Sequence, residues 1–174
     1  YGKQQVQYLK DHGLQPHHRF LDYGCGVLRL AYSLLPYLPK GHYIGVDIAG
    51  ERLEKGRALL SSRGIPEDAY RVLAIRDCKL RELEGEKFDY VWAKSVFTHM
   101  PIEDIEEMLV SLKPLLNDGA QFLWTFAQAP QYVRKRMKDL YYPESTLRAV
   151  CEKVGYRMEI MTDWDPVVQG DVMA

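Results

Sequence analysis

The chain has 174 residues, 47% hydrophobic and 27% charged, a balance that suits one soluble globular domain and excludes a disordered or collagen-like chain. Twenty-three Lys and Arg against 24 Asp and Glu leave a net charge of −1, so the overall basic field of a dedicated nucleic-acid binder is missing. No apolar run reaches the ~18 to 20 residues that span a bilayer, and no signal-peptide pattern opens the chain.

The predicted elements alternate in kind. A helix is expected over residues 3–12, then a buried strand over 19–23. The helix over 28–38 carries Ala31, Leu34, Leu35 and Leu38 on one side and stops at Pro39-Lys40-Gly41. A strand over 42–47, a helix over 51–60 and strands over 70–75 and 88–93 follow. In 101–116, Ile102, Ile105, Leu109, Leu112 and Leu116 step by 3, 4, 3 and 4, with Pro101 in the first turn and Asn117-Asp118-Gly119 closing the helix. A strand over 121–126, a helix over 143–154 ended by Gly155, and a strand over 156–161 complete the pattern, leaving 165–174 for a seventh strand. The run Arg134, Lys135, Arg136 and Lys138 reads as the solvated face of a helix.

Strands that are apolar throughout, separated by helices, imply a mostly parallel sheet covered on both faces, a three-layer α/β/α sandwich. In such sheets ligands lie beyond the carboxyl ends of the strands, which confines the search for chemistry to the residues just after each strand.

The first strand ends in Asp22-Tyr23-Gly24-Cys25-Gly26-Val27-Leu28-Arg29 and runs into a helix. Gly24 and Gly26 permit a sharp turn and a close backbone approach to a ligand, and the following helix offers N–H groups to an anion. Arg29 stands where a dinucleotide fingerprint needs a small residue, which counts against an NAD enzyme, and no P-loop run exists. The second strand ends in Asp47, which can accept from both hydroxyls of a ribose or else cap the next helix; its place after a glycine turn favours the ribose. Asp77, after the third strand, can accept from an exocyclic amine or simply form a turn.

Together, Phe20-Leu21-Asp22-Tyr23-Gly24-Cys25-Gly26, Gly45-Val46-Asp47, Arg76-Asp77-Cys78, Phe88-Asp89-Tyr90-Val91-Trp92-Ala93 and Ser95-Val96-Phe97-Thr98-His99 resemble a class I S-adenosylmethionine-dependent methyltransferase with a Rossmann-like fold. Leu112 to Ala120 is similar to that family's turn into the fifth strand, and the resemblance runs from about Phe20 to Met161. It implies one domain over 1–174, with an N-terminal helix in 1–18, a cofactor-binding core in 19–126 and acceptor-side and C-terminal elements in 127–174. It further implies S-adenosylmethionine as cofactor and S-adenosylhomocysteine as product. The turn Asp22, Tyr23, Gly24, Cys25 and Gly26 would lie against the methionyl end, Asp47 would hold the ribose, Ile48 the adenine face, and Asp77 and Cys78 the adenine edge. Ala93 and Lys94 would lie beside the sulfonium. The chain departs from the family at Leu28, where a third glycine is usual. This Gly-Cys-Gly-x-Leu-Arg variant resembles a bacterial branch in which Arg29 either pairs with the cofactor carboxylate or anchors its helix to an acid.

A hydroxyl acceptor must lose a proton, and His99, just beyond the fourth strand, is the candidate base; a helix-capping role is the alternative. Phe97, Tyr141 and Tyr142 are candidate walls of an acceptor site, and residues 127–142 form the only sizeable candidate lid. No metal-ligand set is evident. Cys25, Cys78 and Cys151 are odd in number and widely spaced, which argues against a disulfide framework and for a reducing cytoplasm. The expected partner is a small-molecule acceptor attacked through oxygen, with no membrane involved. A non-catalytic methyltransferase-like module and, against the neutral charge, a nucleic-acid methyltransferase stay open as alternatives; the sequence leaves the oligomeric state open too.

Overall fold

A computed structural model describes residues 2–164 and the backbone of 172–173. The helices are α1 (Gly2–Asp11), α2 (Arg29–Leu34), α3 (Gly50–Ser62), α4 (Ile102–Leu112) and α5 (Glu144–Val154). The strands are β1 (Phe20–Tyr23), β2 (Tyr43–Asp47), β3 (Arg71–Ala74), β4 (Phe88–Ala93), β5 (Leu116–Gln128), β6 (Val133–Lys135), β7 (Asp139–Tyr142) and β8 (Val172–Met173). The α/β class and the alternation through β4 are as the periodicity predicts. The chain forms two compact units, the first of Tyr1–Asp77, Arg81–Trp92 and Leu115–Gln121, the second of Cys78–Leu80, Ala93–Pro114 and Phe122–Ala174.

In the first unit β1 lies between β2 and β4, and β3 follows β2, all in parallel. Side chains fix this register. Phe20 pairs with Tyr43 on one side and Tyr90 on the other, and the three rings stack at 6.1 and 5.9 Å with nearly parallel planes. Slipping β1 by one residue would turn Phe20 to the opposite face and break both stacks. At the start of β1, Arg19 donates its backbone N–H to Asp89 and its guanidinium to Glu86, which also pairs with Arg71. Both carboxyls lie below the usual range: Glu86 through Arg71 first, against the opposing pull of burial, and Asp89 because the Arg19 N–H and the Asn117 amide outweigh its burial.

In the second unit β5 pairs with β7 in parallel and with β8 antiparallel, and β6–β7 is an antiparallel hairpin. Its core gathers Phe97, Trp124 and Phe126, with half-buried Phe122 against the edge of Phe97. Two carbonyls there are satisfied by tyrosines: Tyr142 Oη donates to Met100 and Tyr156 Oη to Leu109.

Three expectations differ from what is formed. Residues 156–161 make no strand; the Met158 carbonyl is taken by the Arg148 guanidinium at 2.6 Å, while β8 and β7 pair with β5. The basic run lies on the β6–β7 hairpin, not on a helix. Residues 117–120, expected as a helix-ending turn, belong to β5. Of the stretch 165–174, Val172–Met173 forms β8 and the rest lies outside the described residues.

Candidate functional site

Beyond β1 the chain turns through Gly24 (φ 74°) and Gly26 (φ 55°), the left-handed region in which a side chain is strained. The turn is tied to the end of β2. Gly24 and Cys25 both donate to the Val46 carbonyl, at 2.8 and 3.0 Å, and Gly26 donates to Asp47 Oδ2 at 2.9 Å. Asp47 Oδ1 accepts from the N–H of Ala49, the residue that caps α3, at 2.8 Å. The N-cap of α3 is thus Ala49, and Asp47 braces the residue before the helix without capping it. A carboxylate has about four acceptor positions, so two remain after these bonds. A Cβ placed on Gly26 would meet nothing within 4 Å, which leaves open space over the turn. Next to Asp47, Ile48 is 74% exposed, an apolar side chain held in water at the mouth of the turn.

Asp22 is buried beneath this turn, and Tyr43 Oη donates to its Oδ2 at 2.6 Å. Burial, opposed by that hydrogen bond and reinforced by the nearby Asp47 charge, raises the Asp22 carboxyl to about 7. Burial also raises the Cys25 thiol far above its ordinary value, with Asp22 and Asp47 adding to the effect. Cys25 is thus a neutral packing group and no nucleophile. Tyr23 is buried at the end of β1, whereas Arg29 is exposed and makes no ion pair among the described residues. Asp77 follows β3 half-buried and lines a surface cavity with Arg76, Arg81 and Glu82.

The remaining candidates belong to the second unit. Cys78 is half-buried, Ala93 is the buried last residue of β4, and Lys94 enters a turn in which Ser95 has φ 55°. That turn is held by the Ser95 N–H donating to Thr125 Oγ1 at 2.7 Å. Exposed His99 closes a short 3-10 turn, with Nδ1 3.1 Å from the Lys138 carbonyl and 3.5 Å from Asp139 Oδ1. A carbonyl can only accept, so this contact fixes the proton of neutral His99 on Nδ1 and leaves Nε2 as an acceptor. Phe97 and Tyr142 lie in the unit's core; of the three aromatics weighed as acceptor walls, only Tyr141 keeps a surface.

A family profile described as a methyltransferase domain matches residues 21–122, more than half of the chain and all of the strand ends just described. The chain belongs to the methyltransferase-domain family. Uncharacterized protein RP028 of Rickettsia prowazekii is 32% identical over 106 residues, covering 60% of this chain and 41% of that protein. The methyltransferase domain thus spans about two fifths of the length of the curated relative it matches. In fold it is similar to magnesium protoporphyrin IX methyltransferase of Synechocystis PCC 6803 with bound SAM, with TM-score 0.74 and 18% identity over 99% of this chain and 75% of that one. It is also similar to the YcgJ protein of Bacillus subtilis, with TM-score 0.76 and 18% identity over 92% and 71% of the two chains. The Rossmann-like fold implied by the motifs is the fold of this methyltransferase domain.

Two residues seat the turn: Gly45, which the motif at the end of the second strand includes without a packing role, and Gly56, which no motif marks. A Cβ on Gly45 would lie 2.9 Å from Cys25 Sγ, and a Cβ on Gly56 would lie 2.7 and 2.9 Å from Leu28 Cγ and Cδ1 and 3.0 Å from the Val27 carbonyl carbon. The inward side chains of the turn therefore occupy notches left by a glycine on β2 and one on α3. The available signal was a glycine inside a strand and another inside a helix, where each costs stability unless something packs against it.

Proposed function

We propose that this methyltransferase domain binds S-adenosylmethionine and transfers its methyl group to an oxygen of a small-molecule acceptor, with 1–174 acting as one domain. The observation that carries the reading is the Asp47 carboxylate, fixed by the N–H groups of Gly26 and Ala49 with two acceptor positions spare, between a glycine turn with open space above it and an exposed Ile48. These features fit an adenosyl group: spare lone pairs suit a ribose diol, a Cβ-free turn suits a close approach, and Ile48 suits a ring face. In this reading Asp22, Tyr23, Gly24, Cys25 and Gly26 flank the methionyl end and Arg29 pairs with its carboxylate. Asp77 and Cys78 take the adenine edge, and Ala93 and Lys94 lie beside the sulfonium.

When bound, the cofactor supplies a methyl group already activated on a sulfonium. The chain then has to position an acceptor and take its proton. We assign the proton to His99. Its own Nδ1 proton is held by the Lys138 carbonyl, Nε2 receives the hydroxyl proton, and the nearby Asp139 carboxylate stabilises the cation that results. We place this reaction in the cytoplasm, which three thiols outside any disulfide support; no helix of the described residues is long and apolar enough to cross a membrane.

Calorimetry tests the cofactor assignment directly. The intact chain should bind S-adenosylmethionine and S-adenosylhomocysteine. Asp47→Ala should weaken both by about two orders of magnitude or more, because it removes charge-assisted bonds of about 1.5–3 kcal/mol and the tie to Gly26. An intact, folded chain that binds neither compound would remove the proposal.

A further inference from the structure

The β6–β7 hairpin has no part in the binding scheme above beyond steadying His99. Residues 130–142 contain Arg134, Lys135, Arg136 and Lys138 against one acid, Asp139, which faces His99, in a chain whose net charge is −1. All of 131–138 is exposed. Four like charges this close repel one another, so the hairpin holds a field that an anion would relieve.

The tip is built, not loose. The Arg134 guanidinium donates through Nε and Nη2 to the Met137 carbonyl, at 3.2 and 2.7 Å, across a turn in which Arg136 adopts φ 56°. Lys135 lies 4.3 Å from the centre of the Tyr141 ring. Two of the four cations are thus committed to the hairpin itself. Arg136 and Lys138 have no ion pair or side-chain hydrogen bond among the described residues. Beside them Met137 is 87% exposed, and Tyr132 and Val133 are exposed as well. Apolar side chains held in water next to unpaired cations fit a ligand that is apolar in one part and anionic in another.

The same tip carries the link to the chemistry, since the carbonyl that holds His99 Nδ1 belongs to Lys138. Lys138 is thus joined to His99 through its backbone, and Arg136 stands two residues before it on the same tip. We propose that the methyl acceptor is an amphiphilic anion, an apolar body bearing a carboxylate or phosphate, whose acidic group is held by Arg136 and Lys138 and whose apolar part covers Met137 and Val133. This inference rests on the assignment of His99 as the base.

The probe is octyl phosphate, kept below its micelle concentration and added to the intact chain, with octyl glucoside as neutral counterpart. Amide NMR shifts should follow octyl phosphate at 133–139 and at His99, and octyl glucoside should leave them still. Arg136→Gln with Lys138→Gln should weaken octyl phosphate binding about tenfold or more, by loss of two charge-assisted contacts. S-adenosylhomocysteine affinity of the same sample, read by calorimetry, should stay unchanged. Were the double variant to unfold, raising salt from about 50 mM to about 500 mM should weaken octyl phosphate binding to the unmodified chain. Equal binding by variant and parent, no dependence on salt, or no shift at His99 would overturn the inference. So would tight binding to phosphatidylserine vesicles without binding of the free amphiphile, which would make the hairpin a membrane dock. A chain that takes octyl phosphate at the hairpin but no S-adenosylhomocysteine would remove the methyltransferase reading and with it the acceptor, leaving an anion site alone.

Discussion

Replacing Gly56 by alanine tests whether the β1–α2 turn is seated in a notch on α3. On helix propensity alone the change should stabilise, since glycine inside a helix costs about 1 kcal/mol relative to alanine. The geometry opposes this. The added methyl would lie 2.7 Å from Leu28 Cγ and 3.0 Å from the Val27 carbonyl carbon, where carbon atoms pack best at about 3.5–4.0 Å. Neither neighbour yields cheaply: Leu28 is fully buried, the atom struck is its branch point, and Val27 contributes backbone. Overpacking of this kind costs about 1–3 kcal/mol, so most of the range outweighs the propensity gain and the net effect is a loss of up to about 2 kcal/mol. Relief by displacing the turn moves Gly26 from Asp47, so S-adenosylhomocysteine affinity should fall together with stability. Leu28→Ala alone should cost about 2–5 kcal/mol through the cavity it leaves. The pair Leu28→Ala and Gly56→Ala should cost about 1–3 kcal/mol less than the sum of the singles, because the new methyl enters the vacated space. Urea unfolding followed by tryptophan fluorescence gives the stabilities, and calorimetry gives the affinities. A Gly56→Ala protein that gains the full propensity increment and keeps its affinity would refute the reasoning.

Other consequences follow from the buried and paired charges. Asp22 has a folded-state pKa raised to about 7 by burial, above its unfolded value, so the folded state holds this proton more tightly. Its contribution is fully present below about pH 4 and is lost as pH rises to about 7. Asp22→Asn should therefore gain on the parent chain steadily across that interval and hold the gain above it, and denaturation at pH 4.5, 6 and 8 reads the difference. Glu86 runs the other way, since its depressed pKa contributes stability above about pH 4.5 that is lost on acidification. Glu86→Gln should cost roughly 0.5–1 kcal/mol at neutral pH, the modest value of a partly solvated pair, and progressively less as pH falls below about 4.5. His99→Ala should lower methyl transfer about a hundredfold on an acceptor that turns over while leaving cofactor affinity intact. Full turnover by that variant would eliminate the base assignment.

What could be read in the sequence was what local chemistry decides. β1, β2 and β4 are short, mostly apolar runs buried on both faces, as a central parallel strand requires, and each leads to its polar residues at the carboxyl end; β3, half exposed, begins at Arg71. Asp47 and the two glycines were legible for the same reason, because a turn after a strand constrains residue type. The hairpin was not. Its tip is turned by Arg136 in a left-handed conformation without Gly or Asn, so no turn signal breaks the basic run, and charge alone suggested a solvated helix face. Residues 156–161 alternate as a strand would, yet pairing depends on whether a neighbour's edge is free. The Arg148 guanidinium meets the Met158 carbonyl instead. That choice is made by tertiary partners, which periodicity does not record.

The departure at Leu28 also changes meaning once the backbone is seen. In the sequence, a leucine where related motifs carry glycine kept open the reading of a module that had lost its catalytic turn. The backbone at Leu28 nevertheless holds φ 58° and ψ 34°, the left-handed conformation that glycine would favour. Such a conformation costs a residue with a Cβ about 1–2 kcal/mol. Burying a leucine side chain recovers about 1.5–3 kcal/mol, and the glycine at position 56 is what gives that side chain its room. The conformational demand at position 28 and the steric demand of close packing, which one glycine usually meets together, are here divided between Leu28 and Gly56. The turn keeps its left-handed entry into α2 and its open face above Gly26, so the leucine is no evidence of a disabled site. On this argument Leu28→Gly should leave cofactor affinity near that of the parent while stability falls through lost burial. A variant that bound much more tightly would show instead that Leu28 impairs the turn.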